Sequence, residues 1–263
     1  MDIFSSMMIE DMGAHGSAPA ATSSDIDHDG TPPKTILVVV HRRESQPGAV
    51  GQWLIANGYK LDIRCHRFGD PLPASLADHA GAIVFGGPMS ANDPDDYVRA
   101  EIDWLAVPLR ENKPYFGICL GAQMLAKQLG AEVAPHRDNL LEAGYYPIAP
   151  SDEGAAMMRW PVAVYQWHRE GFALPSGATR LATNPNFENQ AIRYGENAYG
   201  VQFHPEMTLA MIHRWTTSSA HRLAAPGAHP RTEHIIAHHV HGAAQRRWLD
   251  RFLRLWLNHA PAR

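Results

Sequence analysis

The chain is expected to be an α/β protein built on an open, mostly parallel twisted sheet with helices on both faces. Three observations predict this. Apolar runs of strand length alternate with segments of helical period, which implies βαβ units with right-handed crossovers. The first run, Ile36 to Val40, is apolar at every position, as a strand covered on both faces must be. Two later runs end in glycine-rich loops, Gly86-Gly87-Pro88 and Gly117-Ile118-Cys119-Leu120-Gly121. In such sheets functional loops gather at the carboxyl ends of strands.

Residues 1–33 are rich in Ser, Ala, Gly and Asp without sustained periodicity, and are read as a disordered N-terminal tail. Residues 34–263 are read as a single domain. Lys34 to Val40 forms the first strand, Gly48 to Asn57 a helix stopped by Gly58, and Lys60 to His66 the second strand. In that strand Leu61, Ile63 and Cys65 share a face, which makes Cys65 a core residue. Gly81 to Phe85 is a third, buried strand. A helix follows from about Asp95, with Val98, Ile102, Leu105 and Leu109 at helical spacing. Tyr115 to Ile118 is the strand before Cys119. The helix after it places Ala122, Leu125, Ala126 and Leu129 on one face. Beyond Gly130, apolar pieces near Ala131, Tyr145, Val162, Arg180 and Ile192 read as later strands and antiparallel additions. Thr208 to His221 and Gly242 to Asn258 read as helices, the last with a Trp248, Phe252, Leu255 stripe to dock on the sheet.

With 263 residues, 45% of them hydrophobic, the chain can fill a sizeable core. A net charge of −4 without a basic block excludes an ordinary nucleic-acid binder. No apolar run reaches the ~20 residues of a membrane span, and no secretory leader is recognisable. The two cysteines form no disulfide framework, which fits a reducing, cytoplasmic setting. No glycine-rich phosphate loop is present, and no cofactor is expected. His229, His234, His238, His239 and His241 cluster near the C-terminus. They match no metal-site signature and are read as a solvated helix face, with no metal expected.

The chemistry centres on Cys119. A strand running into Gly-x-Cys-x-Gly and straight on into a helix is the layout of a nucleophile elbow, with sulfur in place of a hydroxyl. Side chains at Gly117 or Gly121 would strike neighbouring backbone in so sharp a turn. The helix N-terminus favours negative charge at the sulfur. Downstream, Tyr199 to Glu206 reads as a strand ending in His204-Pro205-Glu206. Pro205 holds His204 extended, so His204 and Glu206 can share one side. A cysteine nucleophile needs a base and the base needs an orienting group, roles that His and Glu suit.

These three stretches, Gly86-Gly87-Pro88, Gly117 to Gln123 and His204-Pro205-Glu206, resemble in type and order the motifs of the class I glutamine amidotransferases. The closest likeness is to stand-alone proteins related to the amidotransferase part of GMP synthase. Glu142-Ala143-Gly144, Gln166-Trp167-His168 and Asn189-Gln190-Ala191 support it. The resemblance implies a flavodoxin-like fold and a Cys119–His204–Glu206 triad. It also implies an oxyanion hole at the backbone N–H groups of Gly87 and Leu120, and substrate contacts at Gly86 and Gln123, with Glu142 a further candidate to line the pocket. The implied reaction hydrolyses the glutamine side-chain amide through a Cys119 thioester. Ammonia then goes free or to a separate synthetase subunit, because the stretch after Glu206 is too short for an ATP-using acceptor domain. Relatives often read His-Gly-Asp where this chain has His168-Arg169-Glu170, which leaves open the choice of substrate. A stand-alone γ-glutamyl hydrolase or peptidase would use the same triad on larger γ-glutamyl amides. A non-catalytic regulatory module on the same fold is the reading from another class.

Overall fold

The structure of the protein is a computed structural model that describes residues 34–257; the expected tail, residues 1–33, and Asn258 lie outside the described residues. In chain order the elements are β1 (Thr35–Val39), α1 (Gly48–Ala56), β2 (Lys60–Arg64), β3 (Gly81–Val84), α2 (Asp96–Trp104), α3 (Ala106–Arg110), β4 (Tyr115–Ile118) and α4 (Leu120–Gln128). There follow β5 (Val133–Pro135), β6 (Glu142–Pro147), β7 (Ala149–Pro150), α5 (Asp152–Met157), β8 (Ala163–His168), β9 (Glu170–Phe172) and β10 (Ala178–Thr183). The chain continues through β11 (Ala191–Tyr194), β12 (Ala198–Val201), α6 (Leu209–Ser218) and α7 (Arg231–Trp256).

Eight strands form one sheet in the order β2-β1-β3-β4-β12-β11-β10-β7. Pairings from β2 across to β12 are parallel, and those beyond β12 are antiparallel. This is the expected open, mostly parallel sheet, with the antiparallel additions on one flank. Two short ribbons, β5 with β9 and β6 with β8, stand apart from it. Strand β1 shows why its sequence is apolar throughout: Ile36 and Val38 enter one core cluster, Leu37 and Val39 the other. The first cluster is closed by α1 and α7 through Val50, Leu54, Trp248, Phe252 and Trp256. The second is closed by α2 and α4 through Val98, Leu125 and Ala126. Helices therefore cover both faces, and alternate side chains of β1 are buried by different layers.

Several local expectations change. The helix from Asp95 is broken into α2 and α3 at Leu105. Pro108 is the reason, because it lacks an N–H for the carbonyl four residues back and its ring crowds that carbonyl. Strand β2 is the sheet edge, and Ile63 is 49% exposed although Cys65 is buried in the core as expected. The final helix begins at Arg231, well before Gly242. A glycine lowers helical expectation, yet at Gly242 a Cβ would lie 2.8 Å from the His238 ring, so the bare Cα accommodates that ring. The histidine cluster is a solvated face only in part: His239 is exposed, but other members turn inward. His234 is fully buried, paired to the Tyr165 hydroxyl (2.9 Å) and the His229 carbonyl (3.0 Å), and His238 pairs with the Tyr145 hydroxyl. Burial of an aromatic face of β6 and β8 under α7 draws these rings inward. Among the described residues no group of three or more His, Cys, Asp or Glu is placed to hold a metal ion, and no helix is long and apolar enough to cross a membrane.

Candidate active site

Strands β3, β4 and β12 are neighbours in the sheet, so their carboxyl ends lie side by side. From these ends leave Gly86 and Gly87, Cys119, and the His204–Glu206 loop. Register ties the three together: Val84 aligns with Gly117, Gly117 with Gly200, and the Cys119 N–H donates to the Val201 carbonyl at 2.8 Å.

Cys119 is the N-cap of α4 and has φ 52° and ψ −103°, a conformation that side-chain-bearing residues rarely hold. The glycines around it are required. A Cβ at Gly117 would stand 2.5 Å from the Gly121 carbonyl, and one at Gly121 would stand 2.1 Å from the Val84 oxygen. Both obstacles are backbone and cannot rotate away. Gly121→Ala is therefore expected to destabilise the chain by about 1–3 kcal/mol or more, read as a lower urea midpoint. An unchanged midpoint would mean that α4 does not press on β3 as described.

His204 and Glu206 are both buried, and Nδ1 of His204 donates to Glu206 Oε1 at 2.7 Å. Burial works against charge on this imidazole, but the Glu206 carboxylate and the Cys119 sulfur outweigh it and push the pKa up to about 10. The other ring nitrogen, Nε2, is buried, and the Cys119 sulfur acts on the ring by hydrogen bonding as well as by charge. Gly86 lies between the groups, where a Cβ would come 2.8 Å from the His204 ring and 3.4 Å from Cys119 Cβ.

The loop that carries His204 is held from several sides. The Glu206 carbonyl accepts from Ala49 N–H at 2.8 Å, at the first turn of α1. The His204 N–H donates to the Tyr165 carbonyl at 2.8 Å. Gln245 of α7 accepts from Tyr165 N–H at 2.8 Å and donates to the His204 carbonyl at 3.0 Å. Trp215 of α6 meets the His204 ring edge-on at 5.0 Å. None of Gln245, Trp215 or Ala49 carries a signal in the sequence, because their role depends on where three helices dock.

Gln123 is buried, and its amide nitrogen donates to the Glu170 carbonyl at 2.8 Å and to Gln202 Oε1 at 3.2 Å. Glu142 and His168, paired across β6 and β8, do not present free side chains. His168 Nε2 lies 3.1 Å from Glu142 Oε2, and both Glu142 oxygens accept from Asn184, with Oε1 also accepting from Asn186. His168 Nδ1 donates to the same Glu170 carbonyl that Gln123 reaches. The supporting stretches thus converge, with Gln166 donating to Gln190 at 2.6 Å. Their work is to hold the loop at Glu170, a role that Asn184 and Asn186 share and that sequence spacing does not reveal.

Comparison with known proteins bears on the same region. Residues 48–214 match the family described as glutamine amidotransferase class-I. The chain belongs to that family. It is 30% identical over 196 residues to the glutamine amidotransferase-like protein YfeJ of Salmonella typhimurium, covering 71% of this chain and 81% of that protein. It is 33% identical over 136 residues to a subunit of the glutamine-hydrolyzing GMP synthase of Sulfurisphaera tokodaii, covering 50% of this chain and 70% of that one. Among solved structures, a glutamine amido transferase from Methylobacillus flagellatus superposes with a TM-score of 0.78 at 26% identity, covering 88% of this chain and 96% of that one. The class I amidotransferase fold read from the sequence is the fold observed.

Proposed function

We propose that this amidotransferase-family chain is a glutaminase, which hydrolyses the glutamine side-chain amide through a γ-glutamyl thioester on Cys119. The observation that carries this reading is an elbow-held sulfur acting on an imidazole that is tied through Nδ1 to a carboxylate at 2.7 Å. Sγ attacks the amide carbon, forming the C–S bond and moving the carbonyl π pair onto oxygen. The N–H groups of Leu120 and Gly87 receive that charge, each worth about 3–4 kcal/mol of barrier. His204 gives its Nε2 proton to the leaving nitrogen, the C–N bond breaks and ammonia departs. Acylation removes charge from the sulfur, one of the causes that raise the His204 pKa. The ring, now neutral, takes a proton from water as water attacks the thioester, and glutamate leaves. Glu206 keeps the ring oriented throughout.

Gly86, bare against the His204 ring and the Cys119 side chain, lets the substrate's backbone approach where any side chain would intrude. Gln123, with its amide nitrogen committed, offers its carbonyl oxygen to the substrate's ammonium group. Residues 34–263 work as one domain in the cytoplasm, without nucleic acid, membrane, metal or cofactor. The kinship with a chain named as part of a synthase supports delivery of ammonia to a separate synthetase partner.

One observation favours the second reading, hydrolysis of larger γ-glutamyl amides. Arg222 lies within electrostatic reach of Cys119, and burial, then Arg169 and Arg42, holds its guanidinium below the usual range. A guanidinium within reach of the sulfur, with two further cations acting on it, suits a substrate with more negative charge than glutamine. Glutamate release from glutamine and from a panel of γ-glutamyl peptides decides between them. Preference for glutamine supports the glutaminase. Release from γ-glutamyl peptides alone transfers the same triad to the hydrolase reading.

A further inference from the structure

A second buried imidazole–carboxylate pair lies against the Gly86–Gly87 loop. His41, just beyond β1, and Glu101, within α2, are 1% and 0% exposed. His41 Nε2 is 2.9 Å from Glu101 Oε1, and His41 Nδ1 is 3.1 Å from the Gly86 carbonyl oxygen. A carbonyl can only accept, so Nδ1 carries a hydrogen; the carboxylate takes the hydrogen on Nε2. The ring is then an imidazolium. Burial opposes this charge, but Glu101 outweighs it and raises the His41 pKa. Stability alone gives no reason for the arrangement. A buried ion pair is often no better than apolar residues of the same volume, and Glu101 Oε2 is left without a hydrogen-bond partner among the described residues.

The pair holds one peptide group. The Gly86 carbonyl and the Gly87 N–H belong to the same planar trans unit and point in opposite directions. Glycine on both sides makes that unit easy to rotate. A rotated peptide would present a carbonyl oxygen where the oxyanion requires a donor. The Gly87 Cα is itself packed on the ring, since a Cβ there would lie 2.9 Å from His41 Cγ. We propose that His41, held by Glu101, is a positioning residue that locks the Gly86–Gly87 peptide with its N–H toward the oxyanion. This rests on the donor role of Gly87 in the reaction proposed above. His41 lies outside the residues that match the family, 48–214.

The test compares His41→Leu with the conservative Glu101→Gln, which keeps an oxygen to accept from Nε2. His41→Leu should lower kcat for glutamate release about 10²-fold, the usual cost of one oxyanion donor, with KM little changed. Its Cys119 should still be alkylated by iodoacetamide at the rate of the unaltered chain, because alkylation builds no oxyanion. Glu101→Gln should retain most of the activity. Unchanged kcat in His41→Leu, or an equal fall in kcat and alkylation, overturns the proposal. A crystal structure of His41→Leu reads the peptide without any turnover, so it remains decisive even if the unaltered chain hydrolyses no γ-glutamyl amide. A turned or doubly oriented Gly86–Gly87 peptide supports the proposal, and a single unchanged orientation overturns it. Should the stranded carboxylate prevent folding, His41→Leu with Glu101→Leu carries the same measurements.

Discussion

Cys119→Ala is expected to abolish glutamate release from every γ-glutamyl amide the chain hydrolyses, a loss of about 10⁴-fold or more. No other described thiol can replace it, because the second cysteine, Cys65, is buried in the core with burial pushing its thiol pKa up. Folding should be nearly unaffected. Alanine keeps the Cβ, so the strain of φ 52° is the same before and after. Only one sulfur atom is lost. The prediction is checked by assaying both proteins side by side and comparing their urea midpoints. Turnover near that of the unaltered chain would remove Cys119 from the mechanism.

Glu206→Gln is expected to lower kcat by about 10³–10⁴-fold, the scale seen when a triad loses the carboxylate that fixes its imidazole. The loss should be smaller than for Cys119→Ala, since orientation goes but the nucleophile stays. The substitution also shifts a balance of charge. Burial opposes the His204 cation, and Glu206 is the first of the groups that overcome it. With glutamine in its place burial gains the upper hand and the ring tends to neutrality. The sign for stability follows. The folded pKa of His204 is raised from 6.5 to about 10, so the stabilisation is fully present below 6.5 and is lost as pH rises through about 10. The stability gap between the unaltered chain and Glu206→Gln should therefore shrink between those limits. A gap that is constant or widens with pH contradicts the pairing.

How far the sequence reveals this molecule depends on whether a constraint is local. Gly117, Cys119 and Gly121 declare the elbow because a strand cannot turn so sharply into a helix without them, and β4 and α4 follow. The all-apolar Ile36 to Val40 run declares a central strand, because two layers must bury it. His204-Pro205-Glu206 is legible because the proline and the two-residue spacing act within one segment. Long-range partners leave no such trace. Gln245 looks like any polar helix residue until α7 docks and its amide bridges Tyr165 and His204. Glu142 carries no sign of the Asn184 and Asn186 amides that occupy it. His234 and His238 look solvated for the same reason, since only the packing of α7 on β6 and β8 turns them inward. Pro108 is the exception: a local breaker is present, and the surrounding helical period conceals its effect.

The central claim is a covalent γ-glutamyl group on Cys119 during turnover. Rapid mixing with glutamine, quenching in acid and mass mapping of the peptides tests it most directly. The account predicts a γ-glutamyl adduct on the peptide that carries Cys119, absent in Cys119→Ala. Glutamate release in the quenched samples with that peptide unmodified, and undiminished in Cys119→Ala, would contradict it.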